Sequence, residues 1–202
     1  MIRNIVFDMG MVLMNYNPLG ACRAVTADEA TARRVNEALF SNPEWPRMDE
    51  GTIEKEGMVK LAMEQLAEPA LEPVLTRLLD EMPYNVLTPI PGMAAVVDWT
   101  LDAGFQVYLL SNAGWDVSRN RHIIPRIERF HGVMISVEEG LIKPNAAIYQ
   151  RLTDRYGLKP EECLFIDDNP ANIEAARRLG WQGIVFDGDV AALRGLLQGL
   201  KG

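Results

Sequence analysis

Four sets of polar residues each follow a short apolar run: Asp8 after 4–7, Ser111 and Asn112 after 106–110, Lys143 in the loop beyond 133–135, and Asp167 and Asp168 after 163–166. Singly, each has a plain structural reading. Asp8 suits a turn before Gly10, Ser111 and Asn112 a helix cap, Lys143-Pro144 a surface loop, and Asp167-Asp168-Asn169-Pro170 a loop with an N-cap. Together they describe a site of three carboxylates, one lysine and a hydroxyl–amide pair, without His or Cys. Such hard oxygen donors suit Mg²⁺ with retained waters rather than zinc. Lys143 and the cation would hold a dianionic phosphate beside carboxylates that otherwise repel it. Ser111, Asn112 and nearby backbone N–H groups would bind further phosphate oxygens. Asp8 would then attack phosphorus in line and form an aspartyl-phosphate, which water hydrolyses.

That chemistry requires all four sets at one sheet edge. In an open parallel sheet ligands bind outside the carboxyl ends of the strands, and strands at 4–7, 106–110, 133–135, 163–166 and 183–186 would deliver them there. The segments 93–103, 115–130, 146–156, 171–179 and 190–200 carry apolar residues at helical spacing, as crossover helices do. Asn169-Pro170 reads as an N-cap with proline at the first helical position. From 16 to 89 the alternation of strand and helix stops. This block reads as helical over 19–40, 53–66 and 71–82, with a loop at 41–47 and a return hinge at Pro89-Ile90-Pro91-Gly92.

Phe7-Asp8-Met9-Gly10-Met11-Val12, Leu109-Leu110-Ser111-Asn112, Lys143-Pro144 and Phe165-Ile166-Asp167-Asp168-Asn169-Pro170-Ala171-Asn172-Ile173 resemble, in order, the four motifs of the haloacid dehalogenase superfamily of hydrolases. The spelling is similar to the bacterial branch that includes alpha-D-glucose-1-phosphate phosphatase. The resemblance covers the whole chain. It implies a Rossmann-like α/β core of three α/β/α layers, residues 1–15 plus 90–202, and a small, mobile, all-helical cap at 16–89. It further implies Asp8 as nucleophile, Ser111 as phosphate ligand and Lys143 as charge stabiliser. Magnesium would be bound by Asp8, the backbone carbonyl of Gly10 and Asp168, with Asp167 and Asn172 supporting. The expected substrate is a small phosphorylated metabolite, sugar-phosphate-like.

Gly10 departs from the pattern. Most phosphatases of the superfamily carry a second aspartate there, as general acid and base. Loss of a positioned proton shuttle costs roughly 10²- to 10⁴-fold in rate, so slow turnover, or good turnover of acidic leaving groups such as an anomeric phosphate, is expected. Two alternatives stand beside phosphatase: a haloacid dehalogenase-type hydrolase that uses Asp8, with Tyr149 at a compatible spacing, and a catalytically weak metabolite-binding protein. The acid pair Asp167-Asp168 favours phosphoryl transfer. Tyr149, on an amphipathic helix with Ile148 and Leu152, reads as packing.

Specificity would come from the segment after the nucleophile, at Asn15, Tyr16 and Asn17, and from the break between cap helices, at Trp45, Arg47 and Glu50. The formal net charge of -8, from 28 acidic and 20 basic residues without a basic run, argues against a nucleic-acid partner. No apolar stretch reaches the ~18 residues of a membrane span, and none at the N-terminus has the form of a signal peptide. A cytoplasmic monomer or homodimer is the expectation.

Overall fold

Ile5 and Phe7 pack on one side of the central sheet and Val6 on the other, so β1 (Asn4–Phe7) is buried on both faces. That is the signature of a strand inside a parallel sheet. A computed structural model of the chain describes residues 1–201. After β1 come β2 (Met14–Tyr16), β3 (Leu87–Pro89), β4 (Gln106–Ser111), β5 (Gly132–Ile135), β6 (Cys163–Asp167) and β7 (Gln182–Val185). Five strands form one parallel sheet in the order β5-β4-β1-β6-β7. β1 thus lies in the centre, with Phe7 level with Leu109 of β4 and Ile166 of β6.

Helices cover both faces, which gives the expected three-layer α/β/α core. Ala146–Tyr156 and Pro170–Arg178 bury Ile148, Tyr149, Leu152 and Ile173 against Val6, Leu110 and Phe165. Met93–Asp102 and Val190–Gly199 bury Met93, Val97, Leu193 and Leu197 on the opposite side. Asn169 caps the Pro170–Arg178 helix by accepting a hydrogen bond from the N–H of Ala171.

Several boundaries differ from the sequence reading, each for a local reason. The helix expected at 19–40 is two helices, Pro18–Val25 and Glu29–Leu39, because Asp28 turns extended and caps the second from its N-terminus. The helix expected at 115–130 ends at Arg119 and continues as two 3₁₀ turns. Pro125 forces Ile124 into an extended conformation, and Arg126 sits in the left-handed region at φ 63°. The segment expected at 71–82 is helical over Glu72–Asp80 and again over Met82–Asn85. Part of the expected 41–47 loop opens a five-residue helix, Pro46–Glu50. The two crossings between the sheet and this helical segment were not read as strands, yet they pair. β2 and β3 form an antiparallel ribbon with Met14 opposite Pro89.

The segment between the ribbon strands leans on the core through polar links. Lys55 lies 2.9 Å from the Asp116 carboxylate and 3.0 Å from Asp80, and the Tyr84 hydroxyl donates to Asn120 at 2.7 Å. Among the described residues no helix is long and apolar enough to cross a membrane.

Candidate active site

The carboxyl ends of β1, β4 and β6 lie side by side, so Asp8, Ser111 and Asp167 emerge at one edge. Ser111 and Asp167 are the last residues of their strands rather than the first of the loops. Lys143 reaches this edge from the loop after the Ser136–Glu139 helix. Its Nζ lies 2.7 Å from Asp8 Oδ1 and 2.7 Å from Asp167 Oδ2, with the ammonium 5.3 Å from the centre of the Phe165 ring.

Burial alone would lower the Lys143 pKa, but the two carboxylates outweigh it and hold the amine charged. Asp8 is pushed the other way, up to about 7. Burial raises it, Lys143 partly offsets this, and the charge of Asp167 raises it again. Burial and Asp167 raise Asp168 as well.

The oxygens of these acids have distinct partners. Asp8 Oδ1 accepts from the Met9 N–H at 2.7 Å and from Lys143. Among the described residues Oδ2 has no hydrogen-bond partner, which leaves it available to the cavity that Asp8 lines. Both oxygens of fully buried Asp167 are engaged, by Lys143, by the Asn172 side-chain amide at 3.0 Å and by the N–H of Asn169 at 2.8 Å. Asp167 thus stands behind the site, while Asp168 lines the cavity. One oxygen from each of Asp8, Asp167 and Asp168 lies within 4.8 Å of the others. Three carboxylates against one lysine leave excess negative charge, and the all-oxygen donor set fits a hard divalent cation. Gly10 lines the cavity beside Asp8.

Asn112, expected to meet substrate, has both polar atoms of its amide committed. Its Nδ2 donates to the Lys143 carbonyl at 3.0 Å, and its Oδ1 accepts from the Lys143 N–H at 2.8 Å. Ser111 is buried at the end of β4 and has only a 3.5 Å contact from its hydroxyl to the Asn112 carbonyl.

A cavity of about 400 Å³ opens above Asp8. Its floor is Asp8, Gly10, Lys143 and Asp168, and its far wall is apolar, with Phe40, Trp45, Met82 and Leu87. Trp45 packs on Phe40 with ring centres 5.1 Å apart, so it both anchors the helical segment and faces the cavity. Tyr16 also lines it. The other specificity candidates lie elsewhere. Asn15 is the neighbour of Tyr16 on β2, and alternation along a strand sends it to the opposite side. Asn17 caps the Pro18–Val25 helix, Arg47 pairs with Glu44 at the surface, and Glu50 is outside the lining.

The apolar wall of Phe40, Met82 and Leu87 has no signal in the sequence reading, and one charged lining residue is absent from it as well. Asp49 shares a helix face with Trp45, four residues earlier, whereas Arg47 and Glu50 do not. That spacing was visible in the sequence once 46–50 is read as helix rather than loop. Tyr149 is core: its hydroxyl donates to the Asn172 carbonyl at 3.0 Å, and its ring meets Phe165 and Trp181 edge-on.

Known proteins resemble this one along its full length. A sesquiterpene phosphatase from Aspergillus oryzae is 24% identical over 194 residues, 96% of this chain and 94% of that protein. The structure of a HAD-like family hydrolase from Porphyromonas gingivalis superposes with a TM-score of 0.72 at 27% identity, covering 98% of each chain. A HAD-family enzyme from Bacteroides thetaiotaomicron, crystallised as an Asp-to-Ala variant with magnesium and inorganic phosphate, has the same fold. Its TM-score is 0.70 at 19% identity, over 94% of this chain and 96% of that one. The model of the haloacid dehalogenase-like hydrolases matches residues 2–180, the span that holds β1 to β6 and every acid gathered around Lys143, and the chain belongs to that family.

Proposed function

We propose that this hydrolase is a magnesium-dependent phosphatase of small phosphorylated metabolites, with Asp8 as the nucleophile. The observation that carries the reading is the division of labour between the two carboxylates on Lys143. Asp167 has both oxygens engaged, Oδ2 by Lys143 and Asn172 and Oδ1 by Asn172 and the Asn169 N–H, whereas Asp8 keeps Oδ2 free at the floor of the cavity. The phosphatase from Aspergillus oryzae and the magnesium and phosphate bound by the Bacteroides enzyme support it.

In this reading the ester's phosphoryl group sits between Asp8, Lys143 and Ser111. Asp8, the Gly10 carbonyl and Asp168 would hold magnesium, which would take up part of the phosphate charge. Lys143 orients Asp8 and offsets part of the burial that favours its protonated form, while Oδ2 forms its bond to phosphorus. Ser111 donates its hydroxyl to a phosphate oxygen, and Asn112 fixes the Lys143 backbone. Residues 16–89 act as a cap that closes over the leaving group and excludes water. The apolar wall of Phe40, Trp45, Met82 and Leu87 suits a leaving group with an apolar face, such as one side of a sugar ring or a hydrocarbon chain.

A panel of phosphorylated metabolites assayed with Mg²⁺ and with EDTA tests the reading, together with Asp8→Asn. The expected result is metal-dependent phosphate release, absent in the variant, with acid-stable phosphate trapped on Asp8 of the wild-type protein. Substantial phosphatase activity in folded Asp8→Asn would sink it.

A further inference from the structure

We propose that Asp49, from the 46–50 helix, is the proton donor and acceptor of this site, in the role for which Gly10 has no side chain. The inference rests on the phosphatase reading above.

Gly10 leaves room rather than a partner. A Cβ built on it would meet no atom within 4 Å, so nothing of the core fills the space beside the nucleophile. Asp49 lines the same cavity from the helical segment, four residues after Trp45. Among the described residues its carboxyl has neither a hydrogen bond nor an ion pair, so both oxygens are free for a ligand.

Its backbone, by contrast, is fastened to the core. The Ser136 hydroxyl donates to the Asp49 carbonyl at 2.6 Å and accepts from the Ala113 N–H at 2.9 Å. Gly51 ends the helix at φ 79°, with its Cβ position 3.1 Å from Val137, and the Cβ position of Gly114 is 3.5 Å from the Met48 carbonyl. At Gly51 a side chain would crowd Val137 and strain the backbone, whereas at Gly114 the two segments are in ordinary van der Waals contact. One short helix is thereby set against the ends of β4 and β5, and its only acid that lines the cavity is near enough to Lys143 and Asp8 to feel both charges.

The surroundings suit proton transfer near neutrality. Burial raises the Asp49 pKa, Lys143 partly offsets it and Asp8 raises it again, up to about 7. Tyr16, the neighbouring protic group, has its ionisation pushed upward by burial and by Asp49 itself. It stays a phenol and is no base.

The protons balance over two steps. As Asp8 Oδ2 bonds to phosphorus, the bond from phosphorus to the leaving oxygen breaks with its electron pair, and the Asp49 proton passes to that oxygen. The alcohol leaves neutral and Asp49 becomes a carboxylate. Asp49 then takes a proton from the incoming water as its oxygen bonds to phosphorus. The Asp8–phosphorus bond breaks, inorganic phosphate departs, and both aspartates return to their starting states.

Three proteins decide it: the wild type, Asp49→Asn, and the double variant Gly10→Asp/Asp49→Asn. Each is assayed with Mg²⁺ on p-nitrophenyl phosphate, whose leaving group needs little protonation, and on an alkyl phosphate, which needs it fully. Melting temperatures accompany the assays, although Asp49→Asn keeps the side-chain shape and the backbone bond to Ser136. The expected result is an alkyl phosphate rate lowered ~10²- to 10⁴-fold in Asp49→Asn, a retained burst of nitrophenol, and accumulation of phosphorylated Asp8. The double variant should recover at least part of the alkyl rate. An unchanged ratio of alkyl to nitrophenyl phosphorylation rates, measured in single turnover on folded Asp49→Asn, overturns the assignment, as does equal loss on both substrates without phosphoenzyme. A wild type that neither turns over nor becomes phosphorylated overturns the phosphatase reading beneath it, and the assignment with it.

Discussion

The side-chain amide of Asn112 closes a ring with the backbone of Lys143, donating to its carbonyl at 3.0 Å and accepting from its N–H at 2.8 Å. The loop that carries the lysine is thereby tied to the end of β4, although 31 residues separate the two in sequence. Asn112→Ala should cost about 1–3 kcal/mol, because it leaves two backbone groups unsatisfied in a half-buried place. Turnover should fall more than substrate affinity, since the lysine would no longer be held against Asp8. Thermal melts and the separate changes in kcat and KM check this.

Lys143 is the only cation bonded to Asp8 and Asp167 among the described residues. Lys143→Met keeps the bulk of the stem and removes the charge. Breaking a buried ion pair from one side costs roughly 3–5 kcal/mol, so the metal-free variant should melt well below the wild type at pH 8. At pH 5 the gap should narrow, since Asp8 can then be protonated. Differential scanning calorimetry at the two pH values measures both.

Magnesium binding should depend on pH in a defined direction. Asp8 has its metal-free pKa raised to about 7, and a cation binds the ionised carboxylate. Below that value a proton must leave first, and affinity should fall about tenfold per pH unit for each proton released. From pH 8 to pH 6 the stabilisation by Mg²⁺ should shrink accordingly. The raised pKa has a counterpart in the apoprotein. Folding favours protonated Asp8, so the stability from that residue is full below about pH 4 and is lost as pH rises through about 7. Calorimetric titration of the apoprotein at several pH values, with the protons released counted in two buffers, is the direct measurement. A pH-independent affinity would contradict the assignment of Asp8 as ligand.

Tyr149 offers a control on the reaction class. Its hydroxyl serves only the Asn172 carbonyl, so Tyr149→Phe should cost about 1 kcal/mol and leave phosphatase kcat within about twofold, because it touches no group of the floor. A loss of two orders of magnitude would assign the hydroxyl to the chemistry and reopen the dehalogenase alternative.

The core was legible because its strands are short and wholly apolar. Asp8 and the acid pair stand out because polar residues end those runs. Lys143 was readable only as a position. That it bonds both Asp8 and Asp167, and that Asp167 turns away from the cavity, depend on side-chain partners that lie far apart in sequence. The helical segment was less legible. Asp28 and Pro125 break helices whose apolar spacing runs straight through them. Asp49 was overlooked between Arg47 and Glu50, because a five-residue helix is too short to show a period. Asn15, Tyr16 and Asn17 cannot be told apart in the sequence, since a three-residue strand gives no alternation to read, and of the three Tyr16 lines the cavity.

The β2–β3 ribbon has a mechanical meaning. Both chain crossings into the helical segment run through it, and it starts at the turn that carries Gly10, where the Met11 N–H meets the Met14 carbonyl at 2.7 Å. Any rotation of residues 16–89 away from the sheet must therefore bend within a few residues of Asp8. Asp8 and the axle share one loop, so an opening stroke would tug on the floor of the site as it uncovers the wall. Substitutions in the Met11–Met14 turn should thus alter the chemical step and substrate release together, as one coupled variable.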